Sequence, residues 1–83
     1  MRIDKYLKNA RIIKRRTVAK EACEQGRVLV NRKTAKPGTE VDIGDEIKII
    51  FGTSTMEIKV QQVLEHVKKD NYKEMYKIIT DAD

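Results

Sequence analysis

Hydrophobic residues near the start of the chain recur with the period of an α-helix. Ile3, Tyr6, Leu7 and Ala10 fall at i, i+3, i+4 and i+7, so they share one face of a predicted first helix. Because Tyr6 continues this apolar stripe, we expect its ring to pack in the core rather than to stack on a ligand. The pattern therefore predicts a short helix over residues 3–10.

A second helix is predicted over residues 18–25. Thr17 stands where an N-cap belongs, because its hydroxyl can accept a hydrogen bond from an unpaired backbone N–H of the first turn. Gly26 follows as the left-handed residue with which helices commonly end. The inner side of this helix is predicted to hold Val18, Ala19, Ala22 and Cys23.

After the second helix the apolar period changes from 3.6 to 2, which is the period of a strand. Strands are predicted over residues 28–30, 46–51 and 56–60, with a short extended piece at 41–43 and a loop over 31–38. Glycine-containing turns separate these segments. Two helices followed by a small sheet place the fold in the α+β class, with one layer packed on the other.

The sequence of the last part of the chain is compatible with two secondary structures. Its apolar residues between positions 72 and 79 recur at helical spacing, which predicts a short C-terminal helix, while residues 76–80 equally suit a strand. The chain is therefore predicted to form one domain over residues 1–64, with a tail over residues 65–83 that packs on it as a short helix or a strand.

The length of the chain limits what it can do. Its 83 residues suit a single domain, and a chain of this size buries only about 60% of its unfolded surface. Hydrophobic residues make up 40% of the sequence, which is too many for a disordered tail. A large enzyme with an enclosed substrate cavity is excluded, and a small binding module is favoured.

Features of membrane and secreted proteins are missing from the sequence. No apolar run approaches the roughly 18–20 residues needed to cross a bilayer, and the N-terminus lacks the apolar stretch of a secretory signal. The single cysteine, Cys23, cannot form an internal disulfide, which fits a reducing compartment. We therefore expect a cytoplasmic protein that makes no membrane contact.

Charge is divided unevenly along the chain. Residues 1–36 contain twelve Lys and Arg against three Asp and Glu, a formal charge of +9, whereas residues 37–83 contain six against ten, a charge of −4. The net charge of +5 thus hides a strongly basic N-terminal half. Such an asymmetry concentrates a positive field on one part of a small body and indicates a polyanionic partner, with nucleic acid the leading candidate.

Residues that could support catalysis are few. His66 is the only histidine and stands in a polar stretch, where we expect it to be exposed, and Cys23 lacks a plausible base in the sequence. One Cys and one His cannot supply the four ligands of a zinc site, and no glycine-rich phosphate-binding motif is present. We therefore expect neither catalytic residues nor a bound metal or cofactor. The sequence predicts that this protein is not an enzyme.

Basic residues are densest where the two predicted helices meet. Lys14, Arg15 and Arg16 are consecutive, with Arg11 about one turn before them and Lys20 one turn after. If the second helix begins near Thr17, its unpaired N–H groups lie beside these side chains. A helix N-terminus flanked by arginines suits phosphate, and arginine also stacks on the exposed bases of irregular RNA.

A longer pattern of basic, apolar and turn residues spans residues 2–50. Its members are residues 2–7, Arg11, Arg16, Ala19, Gly26, residues 28–31, residues 36–37, Val41 and residues 44–47. In this order they resemble the S4 RNA-binding domain, a family named for a small-subunit ribosomal protein that includes the heat-shock protein 15 group. The resemblance implies an S4 fold: two short helices on a small, curved, mostly antiparallel sheet, here with a C-terminal extension.

The resemblance also implies a function. The sequence shows no attached catalytic domain, and residues 14–17, 51–52 and 75–76 are most similar to stand-alone S4 proteins of ribosome-associated quality control. These bind large ribosomal subunits that still carry peptidyl-tRNA, and they support C-terminal tailing of the nascent chain by a partner factor. The implied partners are rRNA, tRNA and that tailing factor, and we expect a monomer off the ribosome.

The family's RNA-facing positions match six basic residues of this chain, and the charge pattern adds Lys5 and Lys14. Asp4 matches the family acid, which is implied to orient a neighbouring arginine. Two positions depart from the family pattern: Arg15 replaces a frequent serine, and Arg32 follows Asn31 where relatives often have glycine. The residues expected to contact RNA are Arg2, Lys5, Arg11, Lys14, Arg15, Arg16, Lys20 and Lys36.

Two other functions remain open at this point. A DNA-binding helix-turn-helix protein would place the second helix in the major groove, although the outward positions Lys20, Glu21, Glu24 and Gln25 are poor in base-reading side chains. An accessory subunit of an RNA-modifying enzyme is the other alternative.

Overall fold

Two helices precede a five-stranded sheet in the computed structural model, which describes residues 1–68 and 71–82. The strands are antiparallel throughout and lie in the order β2-β1-β3-β4-β5. This architecture confirms the predicted α+β fold. The elements are α1 (Ile3–Asn9), α2 (Arg16–Glu24), β1 (Val28–Val30), β2 (Lys33–Thr34), β3 (Glu46–Phe51), β4 (Ser54–Val60), a 3-10 turn (Asn71–Glu74) and β5 (Tyr76–Ala82).

The hydrophobic core lies between the helices and one face of the sheet. Ile47 and Ile49 of β3 are buried, as are Ile58 and Val60 of β4, while Lys48 between the first pair is exposed. The alternation follows from the pleat, which points successive side chains to opposite faces. Within residues 1–68 and 71–82, neither helix is long and apolar enough to span a membrane.

Tyr6 joins α1 to the C-terminal part of the chain. Its side chain is fully buried, as predicted, and its hydroxyl donates a hydrogen bond of 2.6 Å to the carbonyl oxygen of Met75. Met75 is itself fully buried. Burial raises the pKa of Tyr6 well above its usual value, and the nearby Tyr76 adds to the shift, so the hydroxyl stays protonated as a donor.

The start of α1 is held by the loop that follows β2. The backbone N–H of Ile3 donates to the carbonyl oxygen of Thr39 at 2.7 Å, and that of Asp4 donates to the carbonyl oxygen of Pro37 at 3.3 Å. These N–H groups have no partner within the helix. The loop therefore replaces a side-chain cap, which α1 lacks.

The second helix begins earlier than predicted, and Thr17 is not its N-cap. Arg15 occupies the N-cap position with an extended backbone and no side-chain capping bond, so Thr17 falls inside the first turn. Ala19, Ala22 and Cys23 are buried as predicted, but Val18 is 46% exposed. At about 100° per residue, position 18 lies at the edge of the face that the three buried residues define. The expected left-handed Gly26 is confirmed by its φ of 75°.

The hairpin between β1 and β2 is tighter than the predicted loop. Val30 pairs with Lys33, so only Asn31 and Arg32 form the turn, and their φ angles are 51° and 71°. Two positive φ angles in a two-residue loop are typical of a type I′ turn. Arg32 thus adopts a left-handed backbone, which costs a residue other than glycine roughly 1 kcal/mol.

Asn31 is anchored at this turn. Its side-chain amide donates to Asp45 Oδ1 at 3.1 Å, and its side-chain oxygen accepts the N–H of Glu46 at 3.0 Å. Its own N–H donates to the carbonyl oxygen of Glu46 at 2.7 Å. These bonds fix the hairpin against the start of β3.

The predicted C-terminal helix is wrong, and the strand alternative is confirmed. A 3-10 turn over Asn71–Glu74 leads into β5, which pairs antiparallel with β4 in a register that matches Val60 with Tyr76. Consecutive β-branched residues from Ile78 onward favour a strand over a helix, and β4 offers them a partner. Residues 69, 70 and 83 of the predicted tail lie outside the described residues.

Removing the Tyr6 hydroxyl tests the link between α1 and the C-terminal part of the chain. We expect Tyr6→Phe to lower the free energy of unfolding by about 1 kcal/mol, because one buried hydrogen bond is lost while the ring still fills the core. For a chain of this size the midpoint of thermal unfolding falls by roughly 4–8 °C. Tyr76→Phe is the control, since the Tyr76 hydroxyl makes no hydrogen bond with the described residues. Equal midpoints of thermal unfolding for the Tyr6→Phe and Tyr76→Phe variants would contradict the link between α1 and the C-terminal part of the chain.

Candidate nucleic-acid interface

A buried carboxylate holds two arginines side by side. Asp4 in the first turn of α1 is only 2% exposed. Its Oδ1 and Oδ2 atoms accept hydrogen bonds from Arg2 Nε at 3.2 Å and Arg2 Nη2 at 3.1 Å. Arg16 Nε, at the start of α2, lies 3.5 Å from Oδ2. We call Arg2, Asp4 and Arg16 the Asp4 cluster.

The two arginines of the Asp4 cluster remain accessible while their partner does not. Each has a side chain that is 48% exposed, against 3% for that of Asp4. Because a fork of guanidinium donors exceeds what one carboxylate accepts, donors remain for an external anion. Thr17 and Lys20 line the same shallow depression. The net charge of the cluster with Lys20 is +2, so the depression suits phosphate.

Lys36 lies in the loop that approaches Arg2. A Cβ atom placed on Gly38 would lie 3.9 Å from the guanidinium carbon of Arg2, and the N–H of Lys36 donates to Thr39 Oγ1 at 2.9 Å. The side chain of Lys36 is exposed. The loop that caps α1 thus presents a further basic residue beside the Asp4 cluster.

The corner between the helices depends on a left-handed arginine. Arg11 has a φ of 58°, just after the C-cap residue Ala10. The carbonyl oxygen of Leu7 then accepts the N–H groups of Ile12 at 3.1 Å and Ile13 at 3.2 Å, and Ile13 is buried. Glycine usually occupies such a position. Arg11 therefore tolerates a strain of about 1–2 kcal/mol to place a charged side chain at the corner.

Arg11 contacts a residue from the far end of the chain. Its guanidinium carbon lies 4.7 Å from the centre of the Tyr72 ring, within the range of a cation–π interaction. Arg11 also lines a groove together with Lys8, Lys14 and residues 65–67. The structure thus separates Arg11 and Lys14 from the depression that holds Arg2, Arg16 and Lys20.

Lys5 is engaged by an acid of the C-terminal segment. Its ammonium forms a salt bridge with Glu65, whose pKa is lowered mainly by the hydrogen bond from Lys5 and also by the charge of that lysine. Among the residues expected to contact RNA, Lys5 thus pairs with an acid outside the Asp4 cluster. Arg15, in contrast, is an exposed N-cap residue between the two basic areas.

The two residues considered for catalysis, Cys23 and His66, differ in exposure. Cys23 is 3% exposed, and burial is the main cause that raises the pKa of its thiol to about 11, with the charges of Asp4 and Glu24 contributing. His66 is exposed, as expected. Across residues 1–68 and 71–82, no group of three or more Cys, His, Asp and Glu residues could hold a metal ion.

The model of the S4 domain family matches residues 1–47 of the chain. This match covers more than half of the sequence and includes both helices, the β1–β2 hairpin and the Asp4 cluster. The chain therefore belongs to the S4 domain family, the RNA-binding family that residues 2–50 resemble.

Within this family the chain is similar to proteins named RQC P-site tRNA stabilizing factor. The protein of that name from Listeria monocytogenes is 56% identical over 79 residues, which cover 95% of this chain and 86% of the relative. The one from Bacillus subtilis is 42% identical over 79 residues, 95% of this chain and 92% of the relative.

Solved structures show the same fold along nearly the whole chain. The trimeric structure of Vibrio cholerae heat shock protein 15 superposes with a TM-score of 0.87 at 29% identity, covering 94% of this chain and 80% of that one. The solution structure of the hypothetical protein HP1423 gives 0.82 at 32% identity, with 96% and 98% covered. The structural similarity therefore extends well beyond the residues of the S4 match.

Three residues beside Arg11 were not among the predicted site residues. Lys8 and His66 line the groove with Arg11, and Tyr72 lies under Arg11. Lys8 had a signal, because it follows Lys5 by three residues on an exposed face of α1. His66 and Tyr72 had none, since only the fold brings the C-terminal segment beside α1.

The state of Cys23 can be tested by alkylation. With its thiol buried and its pKa near 11, we expect native protein at pH 8 to react with iodoacetamide on the order of a hundredfold more slowly than the unfolded chain, because the thiolate is the reactive form. Mass spectrometry over time gives both rates. Equal rates would show that Cys23 is an accessible thiol, contrary to the structure.

Proposed function

We propose that this protein binds RNA of the ribosome and its tRNA by clamping phosphates at the Asp4 cluster. The observation that carries the proposal is the pairing of Arg2 and Arg16 on one buried carboxylate, at the corner of two helices. Arginines held in this way are presented to an anion with little further loss of side-chain entropy. Phosphates of a folded RNA are the anions that a basic half of +9 attracts.

Two features support RNA in preference to duplex DNA. The exposed face of α2 includes Glu21 and Glu24 beside Lys20, and these carboxylates would be repelled by the phosphates flanking a major groove. The arginines converge at a helix corner rather than along a helix that could read base edges. The S4 family match points in the same direction.

The names of the relatives support a more particular partner. The name of these relatives says that they stabilise P-site tRNA. We propose the same role for this protein, on a large ribosomal subunit that retains peptidyl-tRNA. In this proposal the protein acts in the cytoplasm as a non-catalytic factor. It holds rRNA and tRNA together while a separate tailing factor extends the nascent chain.

Removing one arginine of the Asp4 cluster tests this function. We expect Arg16→Ala to lower affinity for large ribosomal subunits carrying P-site tRNA by roughly ten- to a hundredfold, because a charge-assisted hydrogen bond contributes about 1.5–3 kcal/mol. The slope of log K against log salt should fall by about 0.7–0.9, the effect of one phosphate contact. Co-sedimentation at several salt concentrations measures both quantities.

The matched control is Lys59→Ala, which removes one positive charge from the sheet face that the helices do not cover. It should leave the affinity within about twofold, since an isolated surface charge contributes little at physiological salt. Equal binding by Arg16→Ala and the native protein would contradict the proposed site. Displacement of subunits by plain duplex DNA at equal concentration would favour the DNA-binding alternative.

A further inference from the structure

A second basic surface lies outside the Asp4 cluster and is built partly from the C-terminal segment. A groove of about 580 Å³ is lined by Lys8, Asn9, Arg11 and Lys14 of the first helix and the helix corner, and by residues 65–67 of the C-terminal segment. That volume is within the range of about 300–1,000 Å³ of clefts that bind small ligands. We call this surface the tail groove.

The walls of the tail groove are held together by specific contacts. Asn9 Nδ2 donates a hydrogen bond of 3.0 Å to the carbonyl oxygen of Leu64 and a longer one of 3.4 Å to that of Glu65. The salt bridge between Lys5 and Glu65 adds a second attachment between α1 and the same segment. The groove is therefore formed before any ligand arrives, and binding does not require the segment to fold.

The charge of the tail groove suits an anion. None of Lys8, Arg11 and Lys14 forms a salt bridge with the residues that the structure describes. Glu65, the acid of the groove lining, is already neutralised by Lys5. The groove thus offers three basic side chains without a competing carboxylate.

Arg11 is held in the groove by two independent features. Its left-handed backbone turns the chain at the helix corner, and its guanidinium lies over the Tyr72 ring. Arg11 nonetheless remains exposed. A guanidinium positioned on an aromatic ring can stack on a nucleobase as well as contact a phosphate.

We propose that the tail groove binds a short unpaired segment of RNA. Lys8 and Lys14 contact its phosphates, Arg11 stacks on a base, and Tyr72 acts as a positioning residue for Arg11. This inference rests on the proposed function and extends it, because it adds a second RNA contact surface and gives the C-terminal segment an indirect part in RNA recognition through Tyr72. A groove with a charged rim and planar groups accepts one strand, whereas a rigid duplex would contact only its edges.

The tail groove and the Asp4 cluster are connected along α1. Arg2, Lys5 and Lys8 are spaced by three residues, so they lie along one side of the helix. At 1.5 Å per residue, Arg2 and Lys8 are about 9 Å apart along the axis. One RNA molecule can therefore contact both sites, with its structured part at the Asp4 cluster and its unpaired part in the tail groove.

Two RNAs with the same number of phosphates provide the test: a stem-loop with an unpaired loop, and a blunt duplex. We expect Lys8→Ala to weaken stem-loop binding about three- to tenfold and duplex binding less than about twofold, because the lysine contacts the unpaired segment. Lys73→Ala, in the 3-10 turn but not among the residues that line the groove, is the matched control and should change neither affinity. Fluorescence anisotropy at fixed salt measures all of these.

Tyr72 variants test the positioning of Arg11. Tyr72→Phe keeps an aromatic face and should retain native affinity for the stem-loop, whereas Tyr72→Leu should weaken it by a factor similar to that of Lys8→Ala. Thermal unfolding of both variants distinguishes this effect from loss of the fold. Equal binding by Tyr72→Phe and Tyr72→Leu would overturn the positioning role.

The outcomes separate this inference from the proposed function. If Arg16→Ala weakens binding of both RNAs but Lys8→Ala weakens neither, the tail groove is not an RNA site and the Asp4 cluster remains one. If Lys8→Ala weakens stem-loop and duplex equally, the lysine contributes only general charge and the inference fails. If neither variant changes binding, both proposals fail.

Discussion

The basic surface around Asp4 depends on the contacts that the buried Asp4 carboxylate makes with Arg2 and Arg16. A charged group out of contact with water is costly unless opposite charges and hydrogen bonds compensate it. Asp4 meets this requirement with Arg2, which precedes α1, with Arg16, which begins α2, and with the N–H of Lys5 at 2.8 Å. The same contacts set the distance between the helix ends and hold two guanidinium groups at the surface.

The position of Asp4 depends in turn on the rest of the fold. The loop after β2 accepts the free N–H groups of α1, including that of Asp4, and so fixes the start of the helix. Tyr6, half a turn further along α1, reaches the backbone of Met75 just before β5. The sheet therefore stabilises the proposed RNA-binding surface through the first helix, although the exposed face of the sheet carries none of the proposed RNA contacts.

Local patterns predicted the elements whose neighbours are close in sequence. The apolar spacing of α1 and the alternation of β3 each describe one face of one element, and both predictions agree with the structure. Where an element depended on a distant partner, the patterns were insufficient. Residues 72–79 have helical spacing, yet β4 supplies a pairing edge and β5 forms instead. Thr17 suited an N-cap, but α2 begins two residues earlier than predicted, at Arg16, whose Nε lies 3.5 Å from Asp4 Oδ2.

For the candidate site, too, local patterns predicted some features, and contacts between distant parts of the chain determined the others. The excess of basic residues in the first half and their density between the helices were visible in the sequence, and the resemblance implied that Asp4 orients an arginine. What the sequence could not show is that the basic residues form two surfaces, one around Asp4 and one beside residues 65–67. That separation arises from the left-handed turn at Arg11 and from the attachment of Glu65 and Leu64 to α1, which are contacts between remote parts of the chain.

We propose that RNA affinity depends on the orientation of Arg2 and Arg16, and not on positive charge alone. Asp4→Asn tests it directly, because it makes the protein more positive by one charge while removing the shared carboxylate. Asp42→Asn makes the same charge change at an exposed position. Affinity for large ribosomal subunits at fixed salt, measured on variants shown to be folded, should fall about tenfold for Asp4→Asn and hold or rise slightly for Asp42→Asn. Native or tighter binding by folded Asp4→Asn would contradict the account.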